Sequence, residues 1–150
     1  MSLTDSYDRD NIFARILRGE VPCYRIYEDD HTLAFLDLFP QSRGHTLVIP
    51  KHAAARNILD IAADDLKHLI VSTQRVARAV VAALQPGGVQ IFQLSGTAGG
   101  QTVFHIHFHV IPRWPGEPFA LHGRQRAADH DLSEMASLIS AHVGAVQGGG

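Results

Sequence analysis

Residues 104–110 read FHIHFHV: His105, His107 and His109 recur at every second position, between Phe104, Ile106, Phe108 and Val110. A period of two is the mark of an extended chain whose side chains alternate between opposite faces. One face of this stretch is hydrocarbon and demands a core. The other carries imidazoles about 6.6 Å apart, with the outer pair about 13 Å apart. A strand is therefore expected over residues 103–111, ending at Pro112, which has no N–H for a ladder.

Around this strand the sequence divides readily. Residues 11–19 predict a short helix, with Asp10 or Asn11 as cap, Ile12, Phe13, Ile16 and Leu17 as its apolar stripe, and Gly19 at its end. Residues 24–28 and 32–36 predict a hairpin about Asp29-Asp30, and residues 45–49 a third strand stopping at Pro50. Over 63–84, Leu66, Leu69, Ile70, Thr73, Val76, Ala77, Val80, Val81 and Leu84 keep helical spacing, and Pro86-Gly87-Gly88 ends the run. A strand over 89–94, the glycine-rich loop SGTAGGQT and the histidine strand follow. Residues 113–130 read as irregular, Asp131 with Glu134 as a capping box, and Leu132, Met135, Leu138, Ile139 and Val143 as the apolar face of a last helix. Gly148–Gly150 are expected to fray. Strands in antiparallel neighbours with helices between them predict an α+β domain.

Composition narrows the function classes. The 150 residues, 45% hydrophobic and 19% charged, suit one globular domain with a real core. A net charge of −2 opposes broad electrostatic binding to nucleic-acid polymers. One cysteine, Cys23, permits no internal disulfide, the N-terminus MSLTDSYDRDN is not a secretory signal, and no run reaches the roughly 18 apolar residues of a membrane span. The expected location is the cytoplasm.

Three readings compete for the histidines. A half-exposed strand explains one imidazole better than three in register. A metal site needs a third ligand that the strand cannot supply, since its outer histidines lie too far apart; the segment carrying His45 would have to contribute. An anion track suits the chemistry better, because imidazole near neutral pH can donate a hydrogen bond, carry charge or attack as a nucleophile. The preceding loop adds to that reading: Gly96, Gly99 and Gly100 let backbone N–H groups approach an anion, with Ser95, Gln101 and Thr102 as side-chain donors.

GQTVFHIHFHVIP resembles the His-x-His-x-His-x-x signature of the histidine triad (HIT) family. NIFARILRGEVP and EDDHTLAFLDLFPQSRGHTLVIPKH precede it in the family's order, so the resemblance covers roughly residues 11–114. The chain is most similar to the Hint branch and its bacterial relatives, with Fhit-type dinucleoside polyphosphate hydrolases second. The resemblance implies a HIT fold: a five-stranded antiparallel sheet with two main helices and a C-terminal helix. It further implies a single domain over 1–150, its core about 11–114 and an extension over 115–150, and a homodimer with a joined ten-stranded sheet.

It also implies a purine nucleotide hydrolase or transferase that works without a metal through a covalent nucleotidyl-histidine. By motif position His107 is the nucleophile, His109 binds phosphate oxygens and assists the leaving group, His105 supports, and His45 is a fourth, buttressing histidine. Thr102 stands where the Hint branch has serine. Asp37 matches the carboxylate that grips the ribose, against a plain reading as a strand-end turn residue. Ile12, Phe13, Ile16, Val21, Phe35 and Leu38 match the base slot, against a plain reading as core. Phosphoramidates of AMP or GMP are the leading substrates; a dinucleoside polyphosphate hydrolase and a nucleotide-binding module with vestigial catalysis are the alternatives.

Two departures stand out. Leu94 sits where the Hint branch has Asn and the Fhit type Gln, unless Ser95 or Gln93 supplies that contact. Asn11 and Ala14 replace the Cys-x-x-Cys of zinc-binding members, so no metal or other cofactor is expected. Arg113 reads either as a phosphate contact or as a solvated strand end. His31, His52, His68, His122, His130 and His142 read as surface residues.

Overall fold

A computed structural model describes residues 3–118 and 125–147, with side chains to residue 144. His122 and Gly148–Gly150 lie outside the described residues. In chain order the elements are α1 (Ile12–Leu17), β1 (Arg25–Glu28), β2 (Thr32–Leu36), β3 (Thr46–Pro50), α2 (Ala63–Leu84), β4 (Gly88–Gln93), β5 (Phe108–Arg113) and α3 (Asp129–Gln147). The strands form one antiparallel sheet in the order β1-β2-β3-β5-β4. This is the expected α+β architecture, a five-stranded sheet with three helices.

Alternation sorts the sheet into two faces. Ala34, Leu36, Val48, Ile106, Phe108 and Val110 face α2 and α3, joining Leu69, Val76, Val80, Leu132, Ile139 and Val143 in the larger core. The C-terminal helix is thus part of that core. Leu33, Phe35, Leu47 and Ile49 point the other way and pack with Phe13 of α1 in a smaller cluster. The functional cleft lies on that second face.

Local signals explain most boundaries. Asn11 caps α1 through its side-chain oxygen, 2.9 Å from the Ala14 N–H. Asp64 and Asp65 sit favourably in the first turn of α2, and Gln85 ends it in the left-handed region ahead of Pro86. Helix α3 begins at Asp129, two residues before the expected Asp131 cap, and Asp129 accepts from the Tyr24 hydroxyl at 2.5 Å.

Strand β3 stops at Pro50, its last residue, whereas Pro112 lies inside β5. β5 runs through Pro112 because its pairing to β3 covers only Phe108–Val110. The Pro112 carbonyl accepts from the Ser42 hydroxyl on the β3 side, so the missing N–H falls where no strand remains to receive it.

The largest departure is at the other end of β5. The strand was expected from residue 103, yet the ladder begins at Phe108, and His105 and His107 lie in an irregular approach segment. Hydrophobic alternation records which face a side chain takes, and that survives: Ile106 is fully buried in the larger core, while both histidines lie against Phe13 on the opposite side. It does not record whether the backbone has a partner.

Candidate active site

His109 is the histidine that the ladder positions. It pairs with Leu47 on β3 and Phe92 on β4, so it shares the smaller cluster's face, and its ring lies against Phe92 with centroids 4.7 Å apart. The His107 ring is 4.9 Å from it and edge-on to Phe13 at 5.0 Å. His45 precedes β3 and reaches the same place, its centroid 5.2 Å from that of His109. Gly44 makes this approach possible: its φ is +93°, and a Cβ there would stand 2.4 Å from Leu84 Cδ1.

Backbone partners fix the tautomers. Gln41 N–H donates to His45 Nδ1 at 3.1 Å, so neutral His45 carries its proton on Nε2. That Nε2–H meets Nδ1 of His109 at 2.9 Å, which leaves Nε2 of His109 as the protonated nitrogen. His107 donates from Nδ1 to the His105 carbonyl at 2.7 Å, so its lone pair is on Nε2. His105 donates from Nε2 to the Pro50 carbonyl at 3.1 Å and accepts at Nδ1 from the Tyr7 hydroxyl at 2.6 Å. Four imidazoles are thereby oriented as two relays.

Burial keeps His45, His105 and His107 neutral. It pulls His45 down to about 3, with the Arg113 and His107 charges acting in the same direction. It lowers His107 to about 4 against the raising effect of its bond to the His105 carbonyl, and His105 to about 4 against that of the Pro50 carbonyl. An unprotonated His107 at neutral pH is what a nitrogen nucleophile requires.

In front of the rings opens a cleft of about 460 Å³, a size suited to a small ligand. His45, His107, His109, Thr102 and Asp37 line it, together with Ile12, Phe13, Ile16, Val21, Phe35 and Leu38. His105 is absent from the lining: at 1% exposure it stands behind His107. Asp37 ends β2 in a turn and also faces His45. One oxygen accepts the Phe39 N–H at 2.8 Å, a turn at the end of β2, and the other lies 3.6 Å from His45 Nε2.

Two expected donors are employed elsewhere. Gln101 is buried, giving Nε2 to the Arg56 and Val103 carbonyls and receiving the Gly96 N–H on its oxygen. It is a strut of the glycine-rich loop. Ser95 donates to Gln93 Oε1, and Gln93 to the Leu94 carbonyl, so neither lines the cleft. Leu94 itself does, and its Cδ1 would stand 3.2 Å from a Cβ on Gly100, whose φ is +98°. The Hint-type polar contact is thus replaced by hydrocarbon. Arg113 is neither a phosphate contact nor solvated: it is buried, donating to Gln90 and Gln41 side chains. Sequence reasoning missed Gln41, Cys23, Phe39, Leu47 and Val103 in the lining, and Tyr7 behind it. Only a contact across the fold identifies them.

Among the described residues, Asp37, His45 and His109 form the one group able to hold a metal ion, their ligand atoms within 4.8 Å of one another. The donor chemistry opposes it. A metal on His45 Nε2 would drive the proton to Nδ1, against the Gln41 N–H. The group is better matched to passing a proton than to binding a cation.

Sheet, cleft and relay together define a histidine triad domain. Residues 18–116 match the HIT domain family model. "Protein hit" of Bacillus subtilis is 35% identical over 136 residues, 88% of this chain and 93% of that protein. The adenylylsulfatase HINT3 of Arabidopsis thaliana is 30% identical over 146 residues, 93% of this chain and 73% of that protein. The crystal structure of a Hit-like protein from Bartonella henselae superposes with a TM-score of 0.85 at 42% identity, covering 91% of this chain and 99% of that one. The chain belongs to the HIT family, a superfamily of nucleotide-binding hydrolases and transferases. No helix among the described residues is long and apolar enough to cross a membrane.

Proposed function

We propose that the protein is a single-domain, metal-independent cytoplasmic enzyme that hydrolyses purine nucleoside 5′-monophosphate derivatives, phosphoramidates foremost. The observation that carries this reading is the bond from His107 Nδ1 to the His105 carbonyl, which puts the lone pair on the Nε2 of a ring lining the cleft. In the first step Nε2 attacks the α-phosphorus, the P–N bond to the amine breaks, and His109 Nε2–H protonates the departing nitrogen. In the second, water gives a proton back to His109 and attacks the phosphorus. The P–Nε2 bond breaks, releasing the nucleoside monophosphate and His107. Each step is an easier displacement than the direct one. The apolar slot grips the base, Asp37 the ribose, and Thr102 the phosphate or leaving group.

The likeness to an adenylylsulfatase supports an adenylyl group as the part held. Leu94 on the rim favours a leaving group that needs no amide donor there. A homodimer is part of the proposal. β4 is an edge strand carrying exposed Val89 and Ile91, flanked by exposed Ile70 and Val81 of α2.

The test is His107→Ala on the full chain, assayed with adenosine phosphoramidate, a diadenosine polyphosphate and adenylyl sulfate in the presence of a chelator. Turnover by the wild type, a nucleotidyl-protein adduct in its early quench, and loss of both in the folded variant are expected. An active His107→Ala protein refutes the assignment.

A further inference from the structure

The segment that presents the nucleophile has no strand partner, because β5 starts only at Phe108. Something else must hold the His105 carbonyl at the place where it receives the His107 proton. One anchor is the Ile106 N–H, 2.8 Å from the Ala55 carbonyl, with the Ile106 side chain fully buried beneath. The other is the His105 ring, which is bonded at both nitrogens.

Those two bonds are not independent. The Pro50 carbonyl can only accept, so the ring must carry its proton on Nε2. Nδ1 is then an acceptor inside the protein and needs a donor of its own. Tyr7 supplies it: its hydroxyl is 2.6 Å away, and its ring meets the imidazole edge-on with centroids 5.7 Å apart. Tyr7 comes from the segment before α1, outside the 18–116 stretch that the family model matches. The same segment is tied down at Asp5, whose carbonyl accepts from the guanidinium of buried Arg56 at 2.9 Å.

We propose that Tyr7 is a positioning residue for the nucleophile: its hydroxyl holds His105 as the Nε2–H tautomer, and the ring so fixed sets the carbonyl that orients His107. This rests on the reading of His107 as nucleophile. Tyr7 is absent from the cleft lining. Its action runs through His105, so it governs the aim of Nε2 and not the grip on the nucleotide.

Tyr7→Phe on the full chain isolates the hydroxyl, since the edge-on ring contact is kept. Ring nitrogens are read by NMR with 15N-labelled histidine, and kinetics on the adenosine phosphoramidate. In the wild type, His105 should show an unprotonated Nδ1 and the His107 Nδ1 proton should exchange slowly. In the variant that proton should exchange faster, and kcat should fall about tenfold, as a misaimed reacting group implies, with KM within about twofold. Wild-type His105 protonated at Nδ1 would overturn the inference. So would a variant with unchanged kcat and an unchanged His107 proton. A variant that loses nucleotide binding and thermal stability along with kcat would make Tyr7 a brace of the fold, which also overturns it. Should the wild type turn over none of the substrates, the proposed function fails, and the NMR comparison alone then upholds or overturns the role of Tyr7.

Discussion

Nε2 of His45 and Nδ1 of His109 stand 2.9 Å apart although 64 residues separate them in sequence. The β3–β5 ladder that pairs Leu47 with His109 brings them together, and the Gln41 N–H decides which way the proton points. His45→Leu removes the donor to Nδ1 and lets His109 take the wrong tautomer. His45 is buried, and leucine is close to it in volume, so the site stays filled. The expected result is a fall in kcat of about 10–100-fold with KM little changed, since the proposed leaving-group role of His109 and not the grip is lost. Steady-state kinetics on the best substrate check it, and an undiminished kcat would detach His45 from the chemistry.

The buried imidazoles predict an acid-sensitive fold. His45, His105 and His107 sit at about 3, about 4 and about 4, below the ordinary 6.5 that they regain on unfolding. The unfolded chain therefore binds more protons between those values, so stability is intact above about 6.5 and is lost as pH falls toward 4. Each ring contributes up to about 1.4 kcal/mol per pH unit, and three together at most about 4. Urea midpoints at pH 7, 6 and 5 should drop steeply, and His105→Gln should flatten the drop by about a third. A midpoint level across that range contradicts the neutral burial of these rings. While the fold persists, kcat/KM should stay level from pH 8 to about 5, because His107 remains unprotonated.

How much of this could be read from the chain follows from what kind of signal each residue leaves. Face and period were legible: Leu69, Val76, Val80 and Leu84 are buried along α2, and Ile106, Phe108 and Val110 against it, as their spacing required. The ladder was not, because residues 103–107 alternate like a strand while Tyr7, Pro50 and Ala55 hold them instead. The motif residues in the cleft were legible through family spacing. Gln41 was not, since it acts on His45 through its backbone N–H, which no side-chain pattern encodes. Gln101 misled for the opposite reason: a polar residue in a glycine-rich loop looks like a ligand donor, and only the fold shows its amide already spent on Gly96, Arg56 and Val103.

Gln101→Ala follows from that correction. Truncation leaves the Gly96 N–H and two buried carbonyls without their partner, costing about 1–3 kcal/mol in stability. Because the loop also carries Gly100 and Thr102 to the cleft, kcat/KM should fall as the rim loosens. Denaturant unfolding and kinetics on one preparation test both. A stable but inactive variant would return Gln101 to the list of direct phosphate donors.

The exposed apolar surface makes the last prediction. Strand β4 is the open edge beside β5, and its Val89 and Ile91 are 37% and 44% exposed. On α2, Ile70 and Val81 kept the helical spacing of the core residues yet are 44% and 40% exposed. These four residues line one shallow surface depression together with Ala77, Ala82, Thr73, Gln74 and Arg78. An edge strand beside exposed hydrocarbon invites pairing with another chain unless charge blocks it. A second copy related by a two-fold axis would lay β4 against β4 and bury both helix faces. Ile91→Lys places a charge at the centre of that contact while Ile91 makes little contribution to the monomer's own core. Light scattering behind a sizing column should give a wild-type mass of twice the 16.4 kDa chain and a variant mass near one chain. A wild-type monomer at micromolar concentration sinks the dimer. An unchanged dimer in the variant moves the interface away from β4.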